Sequence, residues 1–222
     1  MRLLGREIDL LTAYPRTKRD VESRASDKTD ADRAIARQFG AEFFDGERRH
    51  GYGGYNYHPR FWQPVVPAFR EHFQLTSECS VLDVGCAKGF MMRDFAAGVP
   101  GMTLRGIDIS PYAIDHALAD MRPYVQVADA TELPFPDDSF DVVISINTIH
   151  NLAKDDLARA LGEISRVSRR GAYITVDAYH DEEERERMMA WNLTAKTIMS
   201  VDEWKAFFAE AGYDGDYYWF IP

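Results

Sequence analysis

From Ser80 onward the chain alternates short apolar runs with stretches whose apolar side chains recur at helical spacing. The runs are SVLDVG, TLRGIDIS, VQVADA, FDVVISIN, GAYITVDAY and DYYWFI. Helical spacing falls between them at Phe90 to Ala97, at Tyr112 to Met121, and at about 155–168, 182–196 and 201–211. This alternation predicts βαβ units, an α/β fold whose mostly parallel sheet is covered by helices on both faces. The first third of the chain reads differently. Residues 1–38 are polar and charged, and Ala31, Ala34, Ile35 and Phe39 predict a helical arm between Lys28 and Phe39. The stretch FFDGERRHGYGGYNYHPRFW, Phe43 to Trp62, is dense in Gly and Tyr and fits neither period, so a structured loop is expected, with a helix at about 63–74. The expected organisation is an N-terminal arm, loop and helix over 1–74 and an α/β domain over 75–222.

Composition narrows the function classes. A chain of 222 residues that is 45% hydrophobic can bury one sizeable core plus an extension. A net charge of −10 argues against a broad phosphate-tracking surface, so nucleic acid is not the expected partner. About half of the 26 Lys and Arg residues nevertheless fall before residue 73, which leaves room for a local basic patch there. Cys79 and Cys86 show neither CxxC nor metal-ligand spacing and read as small buried side chains in a reducing compartment. The start lacks a signal-type apolar segment, and no apolar run approaches the ~18 residues of a membrane span, so a soluble cytoplasmic protein is expected. Neither HxH, HExxH nor carboxylates of ligand spacing occur near the strand ends, so no metal requirement is expected.

The candidate chemistry gathers at the carboxyl ends of the strands, where ligands bind in open α/β sheets. Val81-Leu82-Asp83-Val84-Gly85-Cys86-Ala87-Lys88-Gly89-Phe90 is an apolar strand running through a glycine turn into a helix. The spacing Gly85-x-Ala87-x-Gly89, with an aspartate two before the first glycine, is not the dinucleotide frame. A second strand ends at Gly106-Ile107-Asp108-Ile109-Ser110, where Asp108 can accept both hydroxyls of a ribose. Ser110 followed by Pro111 is the better helix cap. A third run ends at Asp129 and Ala130.

The order and spacing of these elements, over about residues 80–212, resemble the class I, Rossmann-like S-adenosylmethionine-dependent methyltransferases. The first motif matches the family's acidic-x-Gly-x-Gly-x-Gly in all but one position, Ala87 standing for the middle glycine, a small change where φ is negative. The resemblance implies S-adenosylmethionine as cofactor, bound by Asp83, Gly85, Ala87, Lys88, Gly89, Asp108, Ile109, Asp129, Ala130 and Asn147. Asp83 would take the cationic amino group of the methionine end, Asp108 the ribose and Asp129 the adenine amino group, with the Ala130 amide reading a ring nitrogen. The chain departs from the family at its end, which has room for one strand where the family closes with a hairpin. The sheet edge is then bare, covered by the N-terminal arm, or paired in a homodimer.

Methyl transfer requires alignment of donor and acceptor and, for a hydroxyl or ammonium, removal of a proton. The end of the fourth strand, Ser145 to Asn151, offers His150 as a base and Asn147 as an orienting or cofactor-binding group, although a lone histidine can equally cap or pack a helix start. Lys88, expected exposed in the turn, either meets a carboxylate or is solvated. Tyr52, Tyr55, Tyr57 and His58, with Arg48, Arg49 and Arg60, read as a lid over the acceptor, or as aromatics that pack the arm onto the sheet. Trp191, Asn192 and Thr194 could line the pocket. The reading is methyl transfer to a hydroxyl or amine of a small molecule. A tRNA or protein methyltransferase and a non-catalytic cofactor-binding protein are the alternatives.

Overall fold

The computed structural model describes residues 5–15 and 28–222. They build a seven-stranded sheet: β1 (Ser80–Val84), β2 (Thr103–Asp108), β3 (Val125–Val127), β4 (Phe140–Ile146), β5 (Ser168–Tyr179), β6 (Met199–Ser200) and β7 (Asp216–Phe220). The order runs β3-β2-β1-β4-β5, and β5 pairs with both β6 and β7. Every pairing is parallel, so the strands point the same way and their carboxyl ends gather along one rim.

Side chains alternate across the strands and feed two apolar clusters. Leu82, Val84, Val143, Ile174 and Val176 pack with Leu157, Leu161 and Ile164 of α7 (Lys154–Val167) and Trp204 and Phe208 of α9 (Val201–Glu210). Val81, Val142, Ile144 and Tyr173 pack with Phe69 of α4 (Val66–Phe73) and Met91, Met92 and Phe95 of α5 (Phe90–Gly98). Leu10, Val65 and Val66 belong to this second cluster, so part of the 1–74 segment shares the core of the α/β unit.

Three expected helices are shorter than their periodicity. The helix at 112–121 ends as α6 (Pro111–Asp115), because the Leu118 amide donates to the Lys88 carbonyl in the glycine turn, at 3.1 Å, and leaves the helical ladder. The helix at 63–74 is split into α3 (Pro59–Trp62) and α4; Pro64 and Pro67 bring no N–H, and Pro67 falls where a first turn needs none. The helix at 182–196 stops as α8 (Glu182–Trp191), where the Asn192 side chain bonds both the amide and the carbonyl of Ala195. Within the arm the expected helix is α1 (Asp30–Ala36), opened by a capping box of Thr29 and Asp32. A short helix, α2 (Ala41–Phe44), follows it. The basic part of the arm within 16–27 lies outside the described residues.

The sheet edge is covered by the arm. β7 pairs with β5 on one side, and on the other the Ile8 amide donates to the Tyr217 carbonyl and the Tyr217 amide to that of Arg6, both at 3.0 Å. The Arg6 amide meets Asp216 Oδ1 at 2.7 Å, and His72 Nε2 lies 2.6 Å from Oδ2 of the same carboxylate. Leu10 is buried, its amide bonded to the Tyr173 hydroxyl, which donates in turn to the Ile8 carbonyl. Among the described residues no helix is long and apolar enough to cross a membrane.

If the arm is part of the fold, Leu10→Ala should cost about 2–4 kcal/mol. Thermal melting should then move down by roughly 5–10 °C, with partial self-association visible by light scattering as the β7 edge frays. An unchanged melting temperature would show that residues 5–15 do not hold that edge.

Candidate active site

The glycine turn joins β1 to α5 and is held down by its neighbour strand. The Gly85 and Cys86 amides donate to the Ile107 carbonyl at 2.8 and 2.9 Å. Gly85 has φ of 89°, and a Cβ there would meet Thr148 Oγ1 at 2.1 Å, so no other residue fits. Ala87, expected at negative φ, instead has φ of 48°. A left-handed alanine costs roughly 1–2 kcal/mol. The Asp108 carboxylate sustains it: Oδ2 accepts the Ala87 amide at 2.8 Å and Oδ1 the Ser110 amide at 2.9 Å.

A cavity of about 1390 Å³ opens over the strand ends. That exceeds the ~300–1000 Å³ of one ordinary ligand site. Asp83, Gly85, Ala87, Asp108, Ile109, Asp129 and Ala130 line one part of it. Asp83 is buried and has no hydrogen-bond or ion-pair partner among the described residues; burial first, and the Asp108 charge second, push its carboxyl up to about 8. Burial also raises Asp108, against the two amides that hold it down. Ile109 is an apolar side chain left 53% exposed at the cavity, as a flat apolar ligand face would require. Asp129 Oδ1 takes the amide and hydroxyl of Thr131, both at 2.8 Å, which fixes the loop after β3.

The 1–74 segment supplies another part of the wall. Tyr52, Tyr55, Arg48, His58 and Arg60 line the cavity, together with Phe39, Phe43, Phe44, Phe61 and Trp62. Tyr55 stacks on Phe90, ring centroids 4.6 Å apart. Its hydroxyl is pushed well above the usual tyrosine range by burial and by Tyr52, Tyr14, Asp83 and Asp108. Three expected positions turn away from the cavity. Lys88 is buried, not exposed: its ammonium meets Asp45 at 2.6 and 2.9 Å and the Tyr55 carbonyl at 3.0 Å. Tyr57 donates to Asp94 at 2.6 Å, with the Arg93 guanidinium over its ring. Arg49 pairs with Asp32 and Glu47. Gly89, at φ of 77°, shapes the helix start and is not on the wall.

Asp45 escaped the sequence reading although it organises the Tyr-rich loop, accepting the Tyr55 amide at 3.0 Å and the Tyr112 hydroxyl at 2.8 Å besides Lys88. Nothing in FFDGERR marked it apart from its place beside the loop. His50 was missed too; it is buried with Nε2 3.0 Å from Asp32 and Nδ1 3.2 Å from Glu42, tying α1 and α2 to the loop.

At the end of β4, Asn147 has φ of 50°, a conformation asparagine tolerates. Its amide bonds the Thr175 carbonyl and hydroxyl, and its Oδ1 accepts that hydroxyl at 2.8 Å, so β5 holds the side chain. His150 is buried, its Nδ1 accepting the Asp177 amide at 3.0 Å. Burial lowers its pKa, the nearby Asp177 charge opposing, so the ring is neutral with its proton on Nε2. Neither nitrogen then accepts a proton, and this geometry does not provide the base expected from the sequence. Trp191, Asn192 and Thr194 also line the cavity. Among the described residues no group of three or more His, Cys, Asp or Glu is placed to hold a metal ion.

Residues 82–176 match the family model of a methyltransferase domain. The chain has the fold of the class I, Rossmann-like methyltransferases, and the matched stretch is similar to their methyltransferase domain. The tRNA (carboxymethyluridine(34)-5-O)-methyltransferase of Arabidopsis thaliana is 31% identical over 143 residues, 64% of this chain and 33% of that protein. The 27-O-demethylrifamycin SV methyltransferase of Amycolatopsis mediterranei is 30% identical over 146 residues, 60% of this chain and 53% of that protein. The chain thus spans about a third to a half of the length of these curated relatives. A solved SAM-dependent methyltransferase from Aquifex aeolicus shares the fold, with a TM-score of 0.51 over 88% of this chain and 89% of that chain at 17% identity. S-adenosylmethionine is the cofactor of this family, and the unpartnered Asp83 carboxylate in the cavity wall fits the ammonium of its methionine end.

The Asp83 shift sets a pH dependence. Its carboxyl is raised from the ordinary 3.8 to about 8, so between those values the folded chain holds a proton that the unfolded chain has released. Stability of the cofactor-free protein should therefore fall as pH rises from about 4 to about 8, and Asp83→Asn should flatten that slope. S-adenosylmethionine should bind more tightly toward pH ~8 with release of a proton, read by calorimetry in buffers of different ionisation enthalpy. Binding by Asp83→Asn at wild-type strength would remove Asp83 from the site.

Proposed function

We propose that the chain transfers a methyl group from S-adenosylmethionine to a small molecule held between the strand ends and the 1–74 lid. The observation that carries this reading is that one cavity of about 1390 Å³ has cofactor-type carboxylates along one part and an aromatic wall supplied by the chain's own lid. S-adenosylmethionine, when bound, supplies an electrophilic methyl group. Asp83 pairs with the amino group, and Asp108, oriented by the Ala87 and Ser110 amides, takes the ribose. Ile109 and Ala130 flank the adenine and Asp129 receives its amino group. Asn147 borders the reacting end. Tyr52 and Tyr55 exclude water from above, while Trp191 and Arg60 border the acceptor.

The alternative, a large acidic partner such as tRNA, draws on the Arabidopsis relative's name. Among the described lid residues Arg48 is spent on the Gly51 and Tyr52 carbonyls and Arg37 lies against those of Thr194 and Ala195, which favours a small acceptor.

Calorimetry should show S-adenosylmethionine binding, and Asp108→Ala should weaken it by ~1.5–3 kcal/mol, the worth of charge-assisted bonds. Affinity within twofold of wild type would remove Asp108 from the ribose. When the chain is incubated with methyl-labelled S-adenosylmethionine and a cell extract, label is expected in the small-molecule fraction. Label confined to RNA would replace this reading with the alternative.

A further inference from the structure

Resting on the methyltransferase reading above, we infer that His150 is a hydrogen-bond donor to the acceptor, and that the acceptor is an oxygen nucleophile that arrives ionised. A carboxylate and an acidic phenol or enol share that chemistry.

The histidine's hydrogen bonds decide its role. Nδ1 receives the Asp177 amide at 3.0 Å, and the His150 carbonyl receives the amides of Lys196 and Thr197 at 3.0 Å, so the residue is fixed at both ends. With its Nδ1 lone pair engaged, the neutral ring carries its proton on Nε2. His150 is only 4% exposed and lines the cavity. Nε2 has no partner among the described residues, and it is not one of the fully enclosed orphan atoms, which are Asp94 Oδ2, Asn151 Oδ1 and Trp219 Nε1. Since Nδ1 faces β5, the Nε2–H bond is the polar group that His150 offers the cavity. Protonating the ring further would displace the Asp177 amide, in a setting where burial already opposes the cation.

A buried N–H that cannot take up a proton is suited to an acceptor that has none to lose. Lys196 and Arg60, which line the cavity without an ion pair among the described residues, are cations that could meet such an acceptor; of the acids on the wall, Glu7 is paired with Lys205 at 2.8 Å, and Asp83, Asp108 and Asp129 belong to the cofactor part of the reading above. Asp177, whose Oδ1 is 3.6 Å from Nδ1, sits on the β5 side of the ring. In the transfer, an oxygen lone pair of the acceptor forms the C–O bond and the S–CH3 bond breaks with its pair remaining on sulfur. The ionised acceptor becomes a neutral ester or ether, and no proton needs removal.

Two measurements on the full chain test this. Two-bond 1H–15N correlation, assigned by the signals lost in His150→Gln, should show His150 as the neutral Nε2–H tautomer at neutral pH. An Nδ1–H tautomer or an imidazolium would overturn the inference. With S-adenosylmethionine, phenylacetic acid, cinnamic acid and 4-nitrophenol form the ionised arm, and the matching primary alcohols the other. At least ~100-fold higher kcat/KM is expected for an ionised oxygen, and the better of the acids or the phenol separates the two sources. His150→Gln, whose amide can accept from Asp177 and donate to the acceptor, should retain activity within ~10-fold, and His150→Phe should lose ~100-fold or more at unchanged cofactor affinity. Equal use of alcohols, no methylation of the ionised arm by a chain that binds the cofactor, or an inactive His150→Gln that still binds it, overturns the inference while leaving the methyltransferase reading in place. A wild-type chain that does not bind S-adenosylmethionine overturns the methyltransferase reading itself.

Discussion

Two carboxylates, Asp83 and Asp108, lie buried at the tips of adjacent parallel strands, and the electrostatic cost of keeping both there organises the site. Asp108 offsets part of its desolvation with the Ala87 and Ser110 amides, and in doing so folds the turn into a left-handed alanine between two left-handed glycines. Asp83 has no such compensation. A buried acid without a partner is unfavourable in the folded chain, and a cation placed beside it would relieve that cost.

The loop after α2 meets the same turn with the opposite charge. Lys88 follows the strained alanine, and its ammonium, almost fully buried, is neutralised by Asp45. Removing one partner of such a pair typically costs ~3–5 kcal/mol, because the other charge stays buried. The loop after α2 is therefore coupled to the cofactor turn: Asp45 sets the Tyr55 amide, and Tyr55 lies on Phe90, the first residue of the helix that the turn opens. A change in the turn's backbone reaches the lid through one ion pair and one stacked ring.

The sheet, its parallel sense and the acids at the strand tips that line the cavity were legible because they follow from local pattern and short motifs: an apolar strand, a glycine turn, an acid at the next strand tip. What escaped depends on partners distant in sequence. The Tyr112 to Met121 periodicity does not contain the Lys88 carbonyl that diverts Leu118, and no spacing joins Asp45 to Lys88 or Asp32 and Glu42 to His50. Tyr57 and Tyr55 stand two apart in one Gly-Tyr stretch, yet one is claimed by Asp94 and the other by the cavity. His150 shows a different limit. Its chemistry is set by which nitrogen the Asp177 amide occupies, and residue type alone carries no tautomer.

The same dependence on distant partners makes the 1–74 segment more than a cover. Its first described residues continue the sheet beyond β7, while Leu10, Val65 and Phe69 share a cluster with β1 and β4. Asp45 then neutralises Lys88, and Ser110, which caps α6, donates its hydroxyl to the Phe39 carbonyl. Edge, core and lid are thus held by one continuous stretch of chain. Removing residues 1–60 would expose the β7 edge, open the second cluster and strip Lys88 of both its partner and its cover together, so loss of activity in such a truncation would report the fold as much as the loop. A change confined to the Tyr52 or Tyr55 side chain leaves those three supports standing, and separates the aromatic wall of the cavity from what the arm does for the sheet.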